Sequence, residues 1–314
     1  MTDSWFCARR LAAVALACAT LAWPPSSGAT DNARQPTFAT PEAAVAALIT
    51  AVKAGSLDDL LSIFGPNGRD LVDSSDPATG RHNREVFTVA VAEGWRLVDQ
   101  GPARKVLVIG HEAWPFPVPL MRDGNLWRFD SVAGKEEILA RRIGRNELAA
   151  IRICRTYVAA QQQYAAQPHD GKPAGLYARK FRSDQGQQNG LYWPAARGQA
   201  RSPLGDLVAQ AAQEGRPLAG DSQAPSPFYG YYFKILTGQG PQANGGVRNY
   251  VVKDEMSGGF ALVAWPAQYD ETGVMTFVVN QDGIVHETDL GPATGSKAQG
   301  ITLFNPDSSW KPVE

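Results

Sequence analysis

Cysteine, histidine and charge are all scarce in this chain. Its 314 residues include 3 cysteines and 4 histidines, and only 19% are charged. Cys7 and Cys18 sit near the N-terminus, so a chain that has lost its leader keeps Cys154 alone and can form no internal disulfide. His82, His111, His169 and His286 are far apart, and no two have the spacing of paired metal ligands. The patterns HExxH, CxxC and GxSxG and the Walker-type loop are all missing. With them goes the motif-level case for zinc hydrolysis, dithiol redox chemistry, a serine elbow or a phosphate cradle. A formal charge of −1 gives no electrostatic reason to bind nucleic acid. Neither a cofactor nor a metal is expected.

The N-terminus carries a pattern of its own. Arg9 and Arg10 precede an apolar run from Leu11 to Leu21, and Ser26-Ser27-Gly28-Ala29 follow. A charged start, a short apolar stretch and a small-x-small site describe a secretory signal peptide over residues 1–29, with Thr30 as the mature start. Lipid attachment at Cys18 is the rival processing, disfavoured because Ala15 stands where a branched aliphatic residue is wanted. The apolar run is short for a membrane span, and no later segment could make one. The expectation is a periplasmic or secreted protein whose mature chain has no transmembrane segment.

After a polar lead over 30–37, read as disordered, the pattern turns helical. Thr40-Pro41-Glu42 supplies a cap, a first-turn proline and a first-turn carboxylate. That helix stops at Gly55, Ser56 opens a second ending at Gly65-Pro66, and a third is expected over 83–93. Strands are then expected at 95–98, 104–109, 114–121 and 126–130, with Asp123-Gly124 as a hairpin signal. Residues 36–133 thus read as a helix-then-sheet unit with a curled antiparallel sheet. Its layout resembles the nuclear-transport-factor-like and cystatin-like folds.

A long helix is expected from Gly134 to Gln167. Leu139, Ile143, Ala150, Ile151, Cys154, Tyr157 and Val158 share one face, while Arg141, Arg145, Arg152 and Arg155 lie on the other. Cys154 therefore reads as an inert core thiol. Residues 168–227 look like aromatic-rich ordered loops with a short helix near Ser202-Pro203. Four β-forming runs between Tyr229 and Gly291 then describe an antiparallel meander. The fold class expected is α+β, with 134–314 as a helix packed on a four-stranded meander.

Chemistry-bearing candidates are few, and none is assigned as catalytic. Trp95, His111, Trp114 and Trp127 lie on or beside the first unit's strands and could line a small-ligand pocket, or simply fill its core. His169-Asp170 could be an acid–base pair of an envelope hydrolase, or a loop turn. Asn280-Gln281-Asp282-Gly283 lacks the alternating carboxylates of a calcium loop and reads as a hairpin turn.

Two resemblances rest on longer stretches. NGLYWP at 189–194, SPLG at 202–205, FYGYYFKIL at 228–236, GGFALVAWPAQY at 258–269, GVMTFVVNQDG at 273–283 and TDLG at 288–291 resemble the bacterial exported family catalogued as domain of unknown function 2950. Asp270-Glu271 departs from it where a glycine-containing turn would be expected. The helix NELAAIRICRTYVAAQQQYA followed by the meander is also similar to the globular head of type IV pilins and pseudopilins. Glu136, Glu137, Arg141 and Arg142 stand where those proteins have an apolar anchor, which implies a head without the assembly device. Together these imply a non-catalytic scaffold or binding protein whose partner is an envelope protein or other macromolecule. The alternatives are the hydrolase and the small-ligand carrier.

Overall fold

The computed structural model describes residues 35–65, 68, 71, 77–195, 201–213 and 226–313. The expected leader, Cys18 and the lead up to residue 34 lie outside these. Within the lead expected to be disordered, Gln35 is held in place. The Gln35 carboxamide donates to the carbonyl oxygens of Ile63 at 3.0 Å and Phe129 at 2.8 Å, tying the entering chain to a helix end and a strand.

The described residues form an α+β fold of six helices and several antiparallel sheets. Thr40 Oγ1 accepts from the Ala43 amide at 3.1 Å and starts α1 (Pro41–Ala54). Ser56 does the same for Asp59 at 3.2 Å and starts α2 (Leu57–Phe64). α3 spans Pro77–Glu93, beginning well before residue 83, because proline is preorganised for a first helical position.

Five strands follow: β1 (Trp95–Asp99), β2 (Arg104–Ile109), β3 (Trp114–Pro115), β4 (Leu120–Asp123) and β5 (Leu126–Phe129). They pair in the order β1-β2-β4-β5, with β3 also on β2. The single strand expected over 114–121 is split, since Pro115, Pro117 and Pro119 have no amide to give to a ladder. Val45, Leu48, Phe64, Phe87, Leu107, Ile109, Leu120 and Phe129 form the core between these helices and this sheet. Burying each such side chain contributes about 1.5–3 kcal/mol.

Asp130 Oδ1 accepts from Ala133 N and caps α4 (Ser131–Ala165), which therefore starts before the expected Gly134. Its 35 residues extend about 52 Å. The first turn belongs to the first core. Ser131 Oγ donates to Phe64 O at 2.6 Å, and a Cβ on Gly134 would lie 2.8 Å from a Val118 methyl. Arg141 Nη1 still reaches Pro115 O, at 2.9 Å. From Asn146 onward the partners change: its Nδ2 donates to Thr272 O at 2.9 Å, and Glu147 accepts from the amides of Val274 and Met275. The boundary drawn between residues 133 and 134 thus falls inside one continuous helix.

Beyond that handover α4 lies on the second sheet. Its strands are β6 (Tyr231–Leu236), β11 (Ala261–Pro266), β12 (Met275–Asn280), β13 (His286–Asp289) and β14 (Lys311–Pro312), ordered β14-β13-β12-β11-β6. The expected four-stranded meander gains a fifth, short edge strand from the C-terminal tail, where Phe304 is buried. Two small ladders lie between β6 and β11: β7 (Gly238–Gln239) with β8 (Arg248–Asn249), and β9 (Val251–Val252) with β10 (Glu255–Met256). The remaining helices are α5 (Gly205–Gln213) and α6 (Thr294–Gly300). β11 is buried along its whole length, and α4 and α6 both pack against it.

Ala150, Cys154, Tyr157 and Val158 of α4 enter this second core, while Arg142, Arg145, Arg152 and Arg155 face outward. Burial pushes the Cys154 thiol up to about 12, so it stays protonated. Asp270 takes the left-handed backbone (φ 60°) that a glycine would have supplied at that turn. Asn280–Gly283 is a hairpin turn closed by Gly283 N to Asn280 O at 3.0 Å. Among the described residues, no cluster of His, Cys, Asp or Glu is placed to hold a metal ion. No described helix is long and apolar enough to cross a membrane.

Candidate functional site

The loops beyond the C-terminal end of α4 are organised by one buried amide. Gln161 is fully buried; its Nε2 donates to Ala178 O at 2.8 Å and to Tyr157 Oη at 3.0 Å. Its Oε1 accepts from Ala178 N at 2.8 Å. Tyr157 Oη passes a hydrogen bond on to Ala261 O at 3.2 Å, so the loop, the helix and β11 share one chain of polar contacts. The segment around Ala178 has no regular ladder to satisfy its backbone, and this side chain does so instead.

One turn further on, Tyr164 Oη donates to Gln188 O at 2.9 Å. Burial, then the charges of Asp170 and Glu255, pushes this phenol up to about 12, so it remains a donor at ordinary pH. The His169 ring stacks on Tyr164 with centroids 4.0 Å apart and tilts toward Trp193 at 5.7 Å. Its Nε2 lies 2.9 Å from Tyr164 O, and its Nδ1 lies 3.3 Å from Gln188 Oε1.

Two cavities meet at His169. The larger, of about 720 Å³, is a groove whose lining includes Tyr164, Asp170, Lys172, Tyr177, Arg179 and Glu255. The smaller, of about 210 Å³, is lined by Gln163, Gln167, His169, Gln188, Trp193, Arg201 and Pro203. The groove's charges are tied internally. Lys172 pairs with Glu255 at 2.8 Å, Lys180 pairs with Asp184, and Arg179 donates to Asp254 O at 2.9 Å. Asp170, Lys253 and Asp254, on the groove's margin, have φ of 48°, 50° and 63° although none is glycine. Non-glycine residues held there cost about 1–3 kcal/mol each, and for Lys253 and Asp254 this is the backbone that the two-residue β9–β10 hairpin turn requires.

The predicted acid–base pair does not assemble. The Asp170 carboxylate accepts from Gln188 N at 2.8 Å, and no hydrogen bond among the described residues joins it to His169. His169 and Asp170 are instead two fixtures of one loop anchored on Gln188.

The aromatic set of the first unit is dispersed. Trp95 is 39% exposed on β1, and Trp114 is 42% exposed beneath the Arg141 guanidinium, 5.4 Å from its centroid. His111 lies in an exposed turn beside Glu93. Trp127 alone is buried, with the Lys105 amine 5.8 Å from its ring. The interior they were expected to line is occupied by Phe64, Phe87, Phe116 and Phe129, whose ring centroids are 5.3–6.5 Å apart.

Gln163, Gln167, Gln188 and Trp193 had no part in the sequence-based assignment. Nothing but the fold brings the last turns of α4 beside residues 188–193. A triplet of glutamines ending an amphipathic helix was the one available signal.

A long helix across an antiparallel sheet, with a loop-built groove at the helix end, defines an α+β protein. The chain belongs to the family described as protein of unknown function (DUF2950), whose model matches residues 35–313. No curated protein and no solved structure matches it.

Proposed function

We propose that this protein is a non-catalytic scaffold or binding protein of the bacterial cell envelope that holds a macromolecular partner in the groove beside His169. The observation that carries this reading is the groove itself, about 720 Å³ in volume, with a rigidly bonded floor and a strained margin. Its cationic side chains are held by partners within the protein, Lys172 by Glu255, Lys180 by Asp184 and Arg179 by Asp254 O, which suits holding a partner more than breaking a bond. The envelope location rests on Arg9, Arg10 and the apolar run after them. The likeness to a pilin head is supported by the second half of α4 lying on β11 and β12. Glu136, Glu137, Arg141 and Arg142 in its first half argue against fibre assembly.

The test is affinity capture from native envelopes, with the wild type and a Lys172→Glu/Tyr177→Ala variant as baits. A specific partner recovered by the wild type and lost by the variant is the expected result. Equal recovery by both, or none by either, defeats the proposal.

A further inference from the structure

The two cavities meeting at His169 carry a chemistry that narrows the ligand, given that the groove is a binding site as proposed above. Three cationic and three anionic side chains line the groove: Lys172, Arg179 and Lys180 against Asp170, Asp254 and Glu255. That balance offers no surplus to a polyanion, and nucleic acids bind through such a surplus. Peptides are usually gripped by a long free strand edge or by apolar pockets. The strands beside this groove, β9 and β10, are two residues each.

The side pocket offers planar carboxamides and aromatic rings instead. Gln163 lies in the last turn of α4 and Gln167 two residues past its end, and both line the pocket. Among the described residues neither carboxamide is hydrogen-bonded, and both are exposed. Gln188 enters from the facing loop, with His169 and Trp193 beside it. Arg201, the one arginine or lysine among the described lining residues, is directed to Asp206 at 3.3 Å. A carboxamide presents two donors and an acceptor side by side, which matches adjacent ring hydroxyls or an N-acetyl group. At about 210 Å³ the pocket is smaller than a typical drug-sized site and suits a single ring; the groove continues past His169 and takes further units.

We infer that the groove and its side pocket bind a neutral saccharide chain, with Gln163, Gln167 and Gln188 receiving one ring. The ligand is a repeating, hydroxyl-rich polymer, recognised by hydrogen bonds over a short stretch. Binding should be weak per unit and strengthen with chain length as the groove fills.

The experiment is isothermal titration calorimetry of the purified protein. The probes are a β-1,4-linked N-acetylglucosamine hexamer, cellohexaose and N-acetylglucosamine itself. Saturable binding of at least one hexamer, tighter than the monosaccharide, is expected. The Gln163→Ala/Gln167→Ala double variant should bind at least tenfold more weakly, while Gln162→Ala, outside the pocket, should match wild type. Both altered side chains are exposed, and an unchanged Tm separates lost contact from lost fold. No saturable binding by either hexamer, or equal binding by the double variant, overturns the saccharide assignment. If envelope capture still recovers a protein that Lys172→Glu/Tyr177→Ala loses, the binding role stands and only the ligand class falls.

Discussion

Replacing Gln161 with methionine removes one side chain's polar head while nearly keeping its volume, so the cost is almost wholly one of hydrogen bonding. Gln161 satisfies both backbone groups of Ala178, which is itself 2% exposed. Each buried group left without a partner costs about 1–3 kcal/mol. Tyr157 keeps its own bond to Ala261 O and loses only an incoming donor. Gln161→Met should therefore destabilise the second core by about 3–4 kcal/mol, a large part of a total stability of roughly 5–15 kcal/mol. Urea unfolding followed by tryptophan fluorescence should show a lower midpoint at unchanged slope. Hydrogen exchange should show the Ala178 amide losing protection. Gln162→Met, on the exposed side of the same turn, should stay within about 0.5 kcal/mol of wild type. A loss below about 0.5 kcal/mol for Gln161→Met, with Ala178 still protected, would refute the bridging role.

Three further outcomes follow from the packing and the charges. A Cβ at Gly273 would lie 2.1 Å from the Tyr231 hydroxyl, so Gly273→Ala should cost about 1–3 kcal/mol. The ring carbons of Tyr231 would lie 2.6 and 2.7 Å from the same Cβ, so adding Tyr231→Ala, which removes the ring and its oxygen together, should cost less than the two single changes summed; strict additivity would count against the clash. The Glu287 carboxyl is held above the usual range by burial and then by the Glu147 charge, against an opposing pull from Lys311. A raised folded pKa favours the fold below the unfolded pKa of about 4.3 and loses that contribution as pH rises through the folded value. Glu287→Gln should therefore raise stability at pH 7, by less than about 1 kcal/mol given its exposure, with the gain vanishing near pH 4; a lower Tm at pH 7 would contradict the sign. Cys154, fully buried with its thiol pushed up to about 12, should ignore a thiol reagent at pH 8 in the native protein. In a chain beginning at Thr30 it should react once per molecule after denaturation, and native labelling would place the thiol outside the core.

Local chemistry was the part of this fold most open to reading in advance. Thr40 and Ser56 cap helices where their spacing says they should, and the Val45, Leu48, Cys154, Tyr157 and Val158 stripes are buried as helical periodicity requires. The errors came where a distant partner decides the outcome. Gln35 looks like part of a disordered lead until Ile63 and Phe129 present their carbonyls. β14 exists only because β13 offers an edge. The groove is the extreme case. Its residues come from the end of α4, the 168–195 loops and the β9–β10 hairpin, and no local pattern links Gln163 to Gln188 or Lys172 to Glu255. His169 and Asp170 were legible as polar loop residues, but which atoms they face is fixed by Gln188, a residue without a pattern of its own.

The handover along α4, from Pro115 at Arg141 to Thr272 at Asn146, makes that stretch of helix a phase-setting shaft. An ordinary linker absorbs an extra residue as slack. Here one residue inserted between Arg142 and Arg145 would turn one core against the other by about 100° and advance it about 1.5 Å. Seven residues, close to two full turns, would nearly restore the angle while lengthening the shaft by about 10 Å. Length changes in this stretch are thus tolerable in near-whole turns, and an alignment of relatives should show gaps there of about seven or eleven residues or not at all.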